Sequence, residues 1–524
     1  MPARRRETLV AAALLAVLAV AAFGAHLRPG GFYNDDWVYL SSTVYPPEDT
    51  FLGAVRALDW LSFRPLQMLY WPFAFRVLGT DPSVHAAWLL AIATVMATLF
   101  FVLLRALRLP VLHAGLVAAL VLLLPVADST RFWPAQGANV LAVACYLGGV
   151  IVALRGLRAT ERDAVRSHLP AVVLYAASIL LYEIAASVIV VTGLLYLAVA
   201  GRRGVRPWAI DVAVAGALLA LVTSHTFYDP LAFGDQVEHA IRIARQVPYV
   251  LAVTFWAPAT PSPPARVAVL VVVAAILVAG TLTARRPHPD PAYPAALRGW
   301  LELALGAALA TGAAYLMIVP SATLDPRGMG EFNRGNMLAG MALVVFAYAV
   351  IAVAAHVALR RVRAWQPAGM AVIAAAAVLI GAGAVQQVRA DQRAWEDAAR
   401  EQERIIDVVD RTTPRPSRAT TFLTFGAPIA TAPGVPVFEA VYDLAGALRL
   451  HYDDPSLRAY PVPSGSRVDC RAGSLTVHNY NDAAERQSAG YSVARLVDVA
   501  AARAFGVATR SQCRALTGRL LGSG

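Results

Sequence analysis

The 524-residue chain contains no lysine, and only 15% of its residues are charged. A soluble chain of this size carries roughly 25%. The shortage is uneven. Up to Val385, long apolar runs alternate with short loops, whereas after Arg389 charge is dense again. This pattern excludes a soluble protein over most of the length. It divides the chain into a membrane part, residues 1–389, and a tail, residues 390–524. Cysteine is scarce as well, with three in all. No Walker loop, paired-cysteine metal site, zinc-protease motif or serine elbow occurs.

What is present is arginine, and it is placed selectively. The net charge of +11 invites a nucleic-acid reading, but most arginines sit in short loops between apolar runs. They read as topology determinants, with no nucleic-acid partner. A membrane crossing takes about 20 apolar residues. Candidate spans are Thr8–Ala25, Val84–Leu104, Val111–Val126, Asn139–Leu154, Leu169–Leu181, Ile184–Ala200, Trp208–Thr223, Val267–Leu282, Leu301–Pro320, Met337–Ala358 and Ala368–Val385. The first resembles a signal peptide but lacks a clear cleavage site, and is read as an uncleaved span. Residues 169–200 in one helix would run about 48 Å, too long for a core of about 30 Å, so the chain is expected to turn at Tyr182-Glu183.

This gives about eleven spans and a parity test. With Arg4–Arg6 in the cytoplasm, Arg105, Arg158, Arg202, Arg285, Arg360 and their neighbouring arginines all fall on the cytoplasmic side. The tail then lies outside. The expected fold is an α-helical polytopic membrane protein with a small extracytoplasmic α/β domain. In that compartment Cys470 and Cys513 can form a disulfide, with two free thiols the alternative. Two outer loops are long, the first being residues 26–83.

The outer loops carry the unusual polar residues. Asp35 and Asp36 follow the first span, and adjacent carboxylates repel, raising one pKa unless a cation compensates. Such a pair suits a general base or a divalent-cation site for Mg or Mn, with a solvated helix cap as the alternative. Arg64, Arg131, Arg327 and Arg334 oppose the topology bias, and guanidinium groups bind phosphate through a planar fork of donors. Salt bridges to Asp35, Asp36, Glu183 or Glu331 are the competing explanation. Trp37, Trp133, Tyr182, Glu183, His225, Tyr228 and Asn333 share the outer face, and one pocket would gather them all.

This constellation resembles the GT-C membrane glycosyltransferases. Asn34-Asp35-Asp36-Trp37, followed by Ser62-Phe63-Arg64-Pro65-Leu66, is similar to the first loop of the protein O-mannosyltransferase-like branch. That branch includes mannosyltransferases bearing tetratricopeptide repeats, and the tail here has no repeat pattern. Leu180-Leu181-Tyr182-Glu183 stands where the branch has Leu-Ser-Lys-Glu, with tyrosine in the lysine's place. Glu331-Phe332-Asn333-Arg334 matches a late outer loop with an arginine before the next helix. The resemblance covers residues 8–385.

It implies a polyprenyl-phosphate sugar as donor, an extracytoplasmic glycan, lipid or protein as acceptor, and inversion at the anomeric carbon. Asp35 is the preferred base over Asp36. Arg64, Arg131 and Arg334, then Arg327, are the candidate phosphate ligands. Metal dependence stays open, since the superfamily includes both kinds of enzyme. A transporter, flippase or polymerase of lipid-linked glycans without transferase activity is the alternative. For the topology, a reporter that works only outside the cytoplasm, fused after Gly524, is expected to be active. A cytoplasm-only reporter active there would overturn the parity reading.

Overall fold

The structure, a computed structural model, describes residues 2–158, 164–225, 231–257, 261–321, 324, 326–478 and 486–522. Each expected apolar run lies on a helix. Among the described residues, eight stretches are long and apolar enough to cross a membrane. One of them, Glu183–Ser224, contains two helices, Ala186–Ala200 and Val205–Ser224, around a tight turn at Gly201–Gly204. Gly201 has φ +57°, a conformation glycine adopts without the steric cost of a side chain. Val111–Leu122 and His168–Leu181 are shorter apolar helices. The protein is therefore a multi-pass membrane protein.

The chain does turn at Tyr182. The helix Ala164–Leu181 ends there, and Tyr182 is extended before the next helical turn begins at Glu183. A buried chain of hydrogen bonds then clamps the three neighbouring helices. His168 Nε2 lies 2.7 Å from Asp211 Oδ1, Tyr196 donates to Asp211 Oδ2 at 2.8 Å, and the Tyr175 and Tyr196 hydroxyls meet at 2.7 Å. Buried polar groups in a membrane have no water to fall back on, so these bonds fix the helices' register.

Several arginine-rich segments gather at one end of the bundle. Arg105 bonds Glu7 at 2.9 Å, Arg158 donates to the Ala106 carbonyl at 2.8 Å, and His288 lies 3.1 Å from the Arg360 carbonyl. The first long loop packs at the opposite end as helices Asp35–Val44, Phe51–Arg56 and Pro65–Leu78.

The last of the long apolar helices, Trp365–Thr412, has 48 residues. It runs about 72 Å at 1.5 Å per residue, more than twice the membrane core. Nothing between Gln366 and Thr412 breaks it after Pro367, and Pro414 follows its end. Val378 and Leu379 are exposed on its first half, as in a lipid-facing segment, while Trp395, Ala398, Ile405 and Val409 are buried on its second half. The expected domain border at 389/390 thus falls inside one continuous helix, which carries the tail as a rigid extension of the bundle.

The tail is mixed α/β. Thr421–Phe425 is buried along its whole length and runs parallel to both Arg458–Val462 and Ala494–Asp498. A strand flanked in parallel on both sides is covered on both faces, which explains its unbroken burial. Arg503–Gly506 adds an antiparallel edge. A second, antiparallel sheet joins Arg467–Cys470, Ser474–His478 and Arg486–Gly490. Helix Val441–Tyr452 packs between the parallel sheet and helix Asp35–Val44.

Cys470 and Cys513 form a disulfide, with Cα atoms 6.0 Å apart, tying the second sheet to the final helix Arg510–Gly522. The bridge closes a loop of 43 residues. Replacing both cysteines by serine is expected to destabilise the tail by about 3–4 kcal/mol on the chain-entropy model. Thermal unfolding followed by tail-specific proteolysis measures it, and an unchanged midpoint would rule the role out.

Candidate active site

The site is assembled around a buried carboxylate that the sequence reading did not single out. Asp128 is wholly buried in the loop after helix Val111–Leu122. Its Oδ2 accepts from Trp395 Nε1 at 2.7 Å, and its Oδ1 from Gly330 N at 3.3 Å and from Asn333 Nδ2. Burial pushes its carboxyl up to about 6, partly opposed by these donors. Asn333 Oδ1 accepts from Ser129 Oγ at 2.7 Å. Asn333 is therefore a brace between two loops, with its polar atoms turned away from any substrate.

The same brace positions the acidic pair. Tyr33 donates through its hydroxyl to the Trp395 carbonyl at 2.9 Å, and Trp133 Nε1 donates to the Tyr33 carbonyl at 2.9 Å. Asn34 has φ +41°, an unfavourable backbone state for a residue with a side chain. Its Nδ2 donates to the buried Glu331 at 2.8 Å, so the strained turn is pinned by the late loop.

Asp35 and Asp36 then face different surroundings. Asp36 is wholly buried, and its Oδ2 accepts from Tyr33 N at 2.9 Å. Burial pushes its carboxyl well above the usual range, and the neighbouring Asp35 charge adds to that. Asp35 is half-buried and accepts from the Tyr442 hydroxyl at 3.0 Å. Burial raises its carboxyl too, but the positive charges of Arg334 and Arg64 and the Tyr442 hydrogen bond pull it partly back. Asp36 shapes the turn; Asp35 meets the charged groups.

Arg64 is held by Glu183 in a two-point bridge, Nε to Oε2 at 2.9 Å and Nη2 to Oε1 at 2.5 Å. Its guanidinium lies 4.0 Å from the Tyr182 ring centroid. Arg334 lies 5.4 Å from the Trp133 ring centroid and donates to the Glu331 carbonyl at 2.8 Å. Among the described residues no carboxylate lies within salt-bridge distance of it. Tyr182, where the resembled branch has lysine, presents its ring face to Arg64.

Other candidates are elsewhere. Arg131 is buried and donates to the carbonyls of Leu122, Thr130 and Val121. A cation at the carbonyl end of helix Val111–Leu122 is a capping arrangement, and it leaves Arg131 out of the cluster. Arg327 is exposed, over the Phe332 ring at 4.6 Å. His225 is exposed at the end of helix Val205–Ser224, with no bond to the cluster among the described residues. Tyr228 lies outside the described residues. Trp37 is half-buried, 6.4 Å from Phe438 of the tail, ring centroid to centroid. Tyr442 was missed because nothing in the tail's sequence marks it, and Asp128 because its partners are distant in sequence.

No set of three or more His, Cys, Asp or Glu side chains is gathered among the described residues as a metal ion would require. Asp35 and Asp36 bond separate partners, the Tyr442 hydroxyl and the Tyr33 backbone. A groove of about 930 Å³ runs between helices. Val188 and Leu338, on the helices that follow Glu183 and Arg334, line it, as do His113, His356 and Trp365.

No family model matches this sequence, and no curated protein sequence does. Among solved structures, the chain is similar to ArnT from Cupriavidus metallidurans, crystallised bound to undecaprenyl phosphate. The identity is 12%, 86% of each chain is covered, and the TM-score is 0.31. So distant a likeness leaves function to the side chains.

Those side chains make separable predictions. Arg131→Leu is expected to lower the thermal unfolding midpoint, since hydrogen bonds to a charged group each contribute about 1.5–3 kcal/mol. It should leave lipid-phosphate binding by the folded protein unchanged. Unaltered unfolding with lost binding would make Arg131 a ligand instead.

Proposed function

We propose that this protein is a membrane glycosyltransferase of the GT-C kind, of the O-mannosyltransferase-like branch. It would move a sugar from a polyprenyl-phosphate donor to an acceptor on the tail's side of the membrane. The observation that carries the reading is Asp35: a half-buried carboxylate under the influence of two guanidinium groups, accepting a hydrogen bond from a hydroxyl. An inverting transfer needs that combination. The tail's side is taken as extracytoplasmic, in keeping with the arginine parity.

In the proposed reaction the acceptor hydroxyl bonds Asp35. Its oxygen attacks the anomeric carbon from the face opposite the phosphate. The carbon–oxygen bond to phosphate breaks, the electron pair leaves with polyprenyl phosphate, and the hydroxyl proton passes to Asp35. Arg334 is the phosphate ligand, because its fork is not matched to a carboxylate among the described residues. Arg64, paired with Glu183, holds Tyr182. Fixed donors aimed at a leaving phosphate stabilise charge where it develops. The apolar groove lined by Val188 and Leu338 would supply room for the prenyl chain. The free base must be ionised, so a raised Asp35 pKa places the acid limb of the rate profile above that of an ordinary carboxylate.

Purified protein incubated with radiolabelled polyprenyl-phosphate sugars tests this. Asp35→Asn is expected to reduce transfer by about 10²–10⁴-fold with expression intact. Arg334→Ala is expected to cost about 10²–10³-fold and to weaken donor binding. Activity should fall as pH drops through a midpoint above about 4, the usual carboxylate value. Full turnover by Asp35→Asn would sink the proposal.

A further inference from the structure

The tail touches the cluster at two points. At the first, Glu331 N donates to the Gly434 carbonyl at 2.6 Å, and a Cβ on Gly330 would stand 2.4 Å from that carbonyl oxygen. At the second, helix Val441–Tyr452 lies across helix Asp35–Val44. The contact is close: a Cβ on Gly446 would stand 2.5 Å from the Trp37 carbonyl oxygen. The helix start is fixed by buried Asp443, whose Oδ2 accepts from Glu439 N at 2.8 Å and Ala440 N at 3.1 Å. Its far end is tied by the Tyr45 hydroxyl to Asp453 Oδ1 at 2.8 Å. Tyr442 therefore stands on a firmly held first turn. Tyr442 as a residue is 40% exposed, and its hydroxyl bonds Asp35.

Resting on Asp35 as the base, we propose that the Tyr442 hydroxyl occupies the position of the acceptor hydroxyl. On this view the tail helix forms the acceptor side of the site, and an acceptor engages Asp35 only by displacing the phenol. Three features argue for it. A general base must lie about 2.6–3.2 Å from the oxygen whose proton it takes, and the phenol oxygen is at 3.0 Å. Tyr442 is part-exposed, so that position is reached from the tail's side. The positive charges of Arg334 and Arg64 also act on Asp35, and Asp36, Tyr39 and Glu331 are the other titratable groups whose charge it feels or influences. None of these is an O–H donor bonded to it, so Tyr442 alone fills that role among the described residues. Tyr442 is then a positioning residue: it keeps the base hydrogen-bonded and water off it until an acceptor arrives.

The test uses the full chain in detergent, with two readouts. The first is labelling of Asp35 by a water-soluble carbodiimide and an amine, quantified by peptide mass spectrometry without any donor. Tyr442→Phe and Tyr442→Ala are expected to label several-fold faster than the parent, while Tyr45→Phe, which removes a bond elsewhere in the same interface, labels at the parent rate. The second is release of polyprenyl phosphate from a radiolabelled donor with water as the only acceptor. Release should rise by roughly tenfold in Tyr442→Phe, about the effect of one hydrogen bond to a carboxylate, and its acid limb should move to higher pH. Equal labelling in parent and both Tyr442 variants overturns the inference, as does a sugar found attached to Tyr442, which would make the phenol a substrate. Retained turnover in Asp35→Asn instead overturns the base assignment, so the two failures are distinguishable.

Discussion

Asp128 is the constraint on which the arrangement depends. A carboxylate removed from water is tolerated only when donors surround it, and the donors here come from two parts of the chain distant from Asp128. Trp395 belongs to the long helix Trp365–Thr412, Gly330 and Asn333 to the late loop, and Asp128 itself follows the third apolar helix. Trp395 and Trp133 extend the network to Tyr33, and Tyr33 leads into the acidic pair. The cost of a buried carboxylate thus becomes a reason why segments some 270 residues apart meet in one geometry. Asn34 shows the consequence, since its unfavourable backbone persists only because Glu331 holds it.

Electrostatics then sort chemically identical residues. Asp35 and Asp36 are neighbours, yet the helical turn sends one toward two guanidinium groups and the other into the protein. Burial raises both, and only Asp35 has cations to offset the cost. The arginines divide in the same way. Arg64 is matched by Glu183, Arg131 by helix carbonyls, and Arg334 by an aromatic face and a backbone carbonyl. A guanidinium held by neutral partners keeps its charge available to an incoming anion; one held by a carboxylate largely does not. A lysine in the place of Tyr182 would put a further positive charge beside Arg64, whereas the tyrosine offers that guanidinium its ring face.

The tail is part of the site rather than an appendage. A continuous helix carries it, so its position relative to the bundle is set by helix stiffness rather than by a linker. Its Gly434 turn supports the loop bearing Arg334, its helix supplies Tyr442 to the surroundings of Asp35, and the segment before that helix supplies Phe438 to those of Trp37. The disulfide at its outer edge reinforces the small sheet without touching the cluster, which separates the tail's own stability from its role beside the bundle.

The sequence by itself determined the membrane character, the position of each apolar helix and the grouping of arginines at one end. Those follow from composition and from the cost of burying charge in lipid, which act residue by residue. It also marked the turn at Tyr182-Glu183, because a chain of that length cannot cross straight. Cysteine scarcity narrowed the tail's bridge to one pairing. Only tertiary structure decided which outer polar residues meet. Sidedness told that Arg131, Asn333 and Arg334 share a face, yet a side chain's direction depends on partners far away in sequence. Arg131 turned to the end of a helix, Asn333 to Asp128, and Arg334 to Trp133 and the Glu331 carbonyl. The domain border was misplaced for the same reason: a rise in charge marks where a helix leaves lipid, not where it ends. Tyr442 was invisible to the sequence because its one distinguishing feature, a hydrogen bond across 407 residues, exists only once the tail has folded back onto the acidic helix.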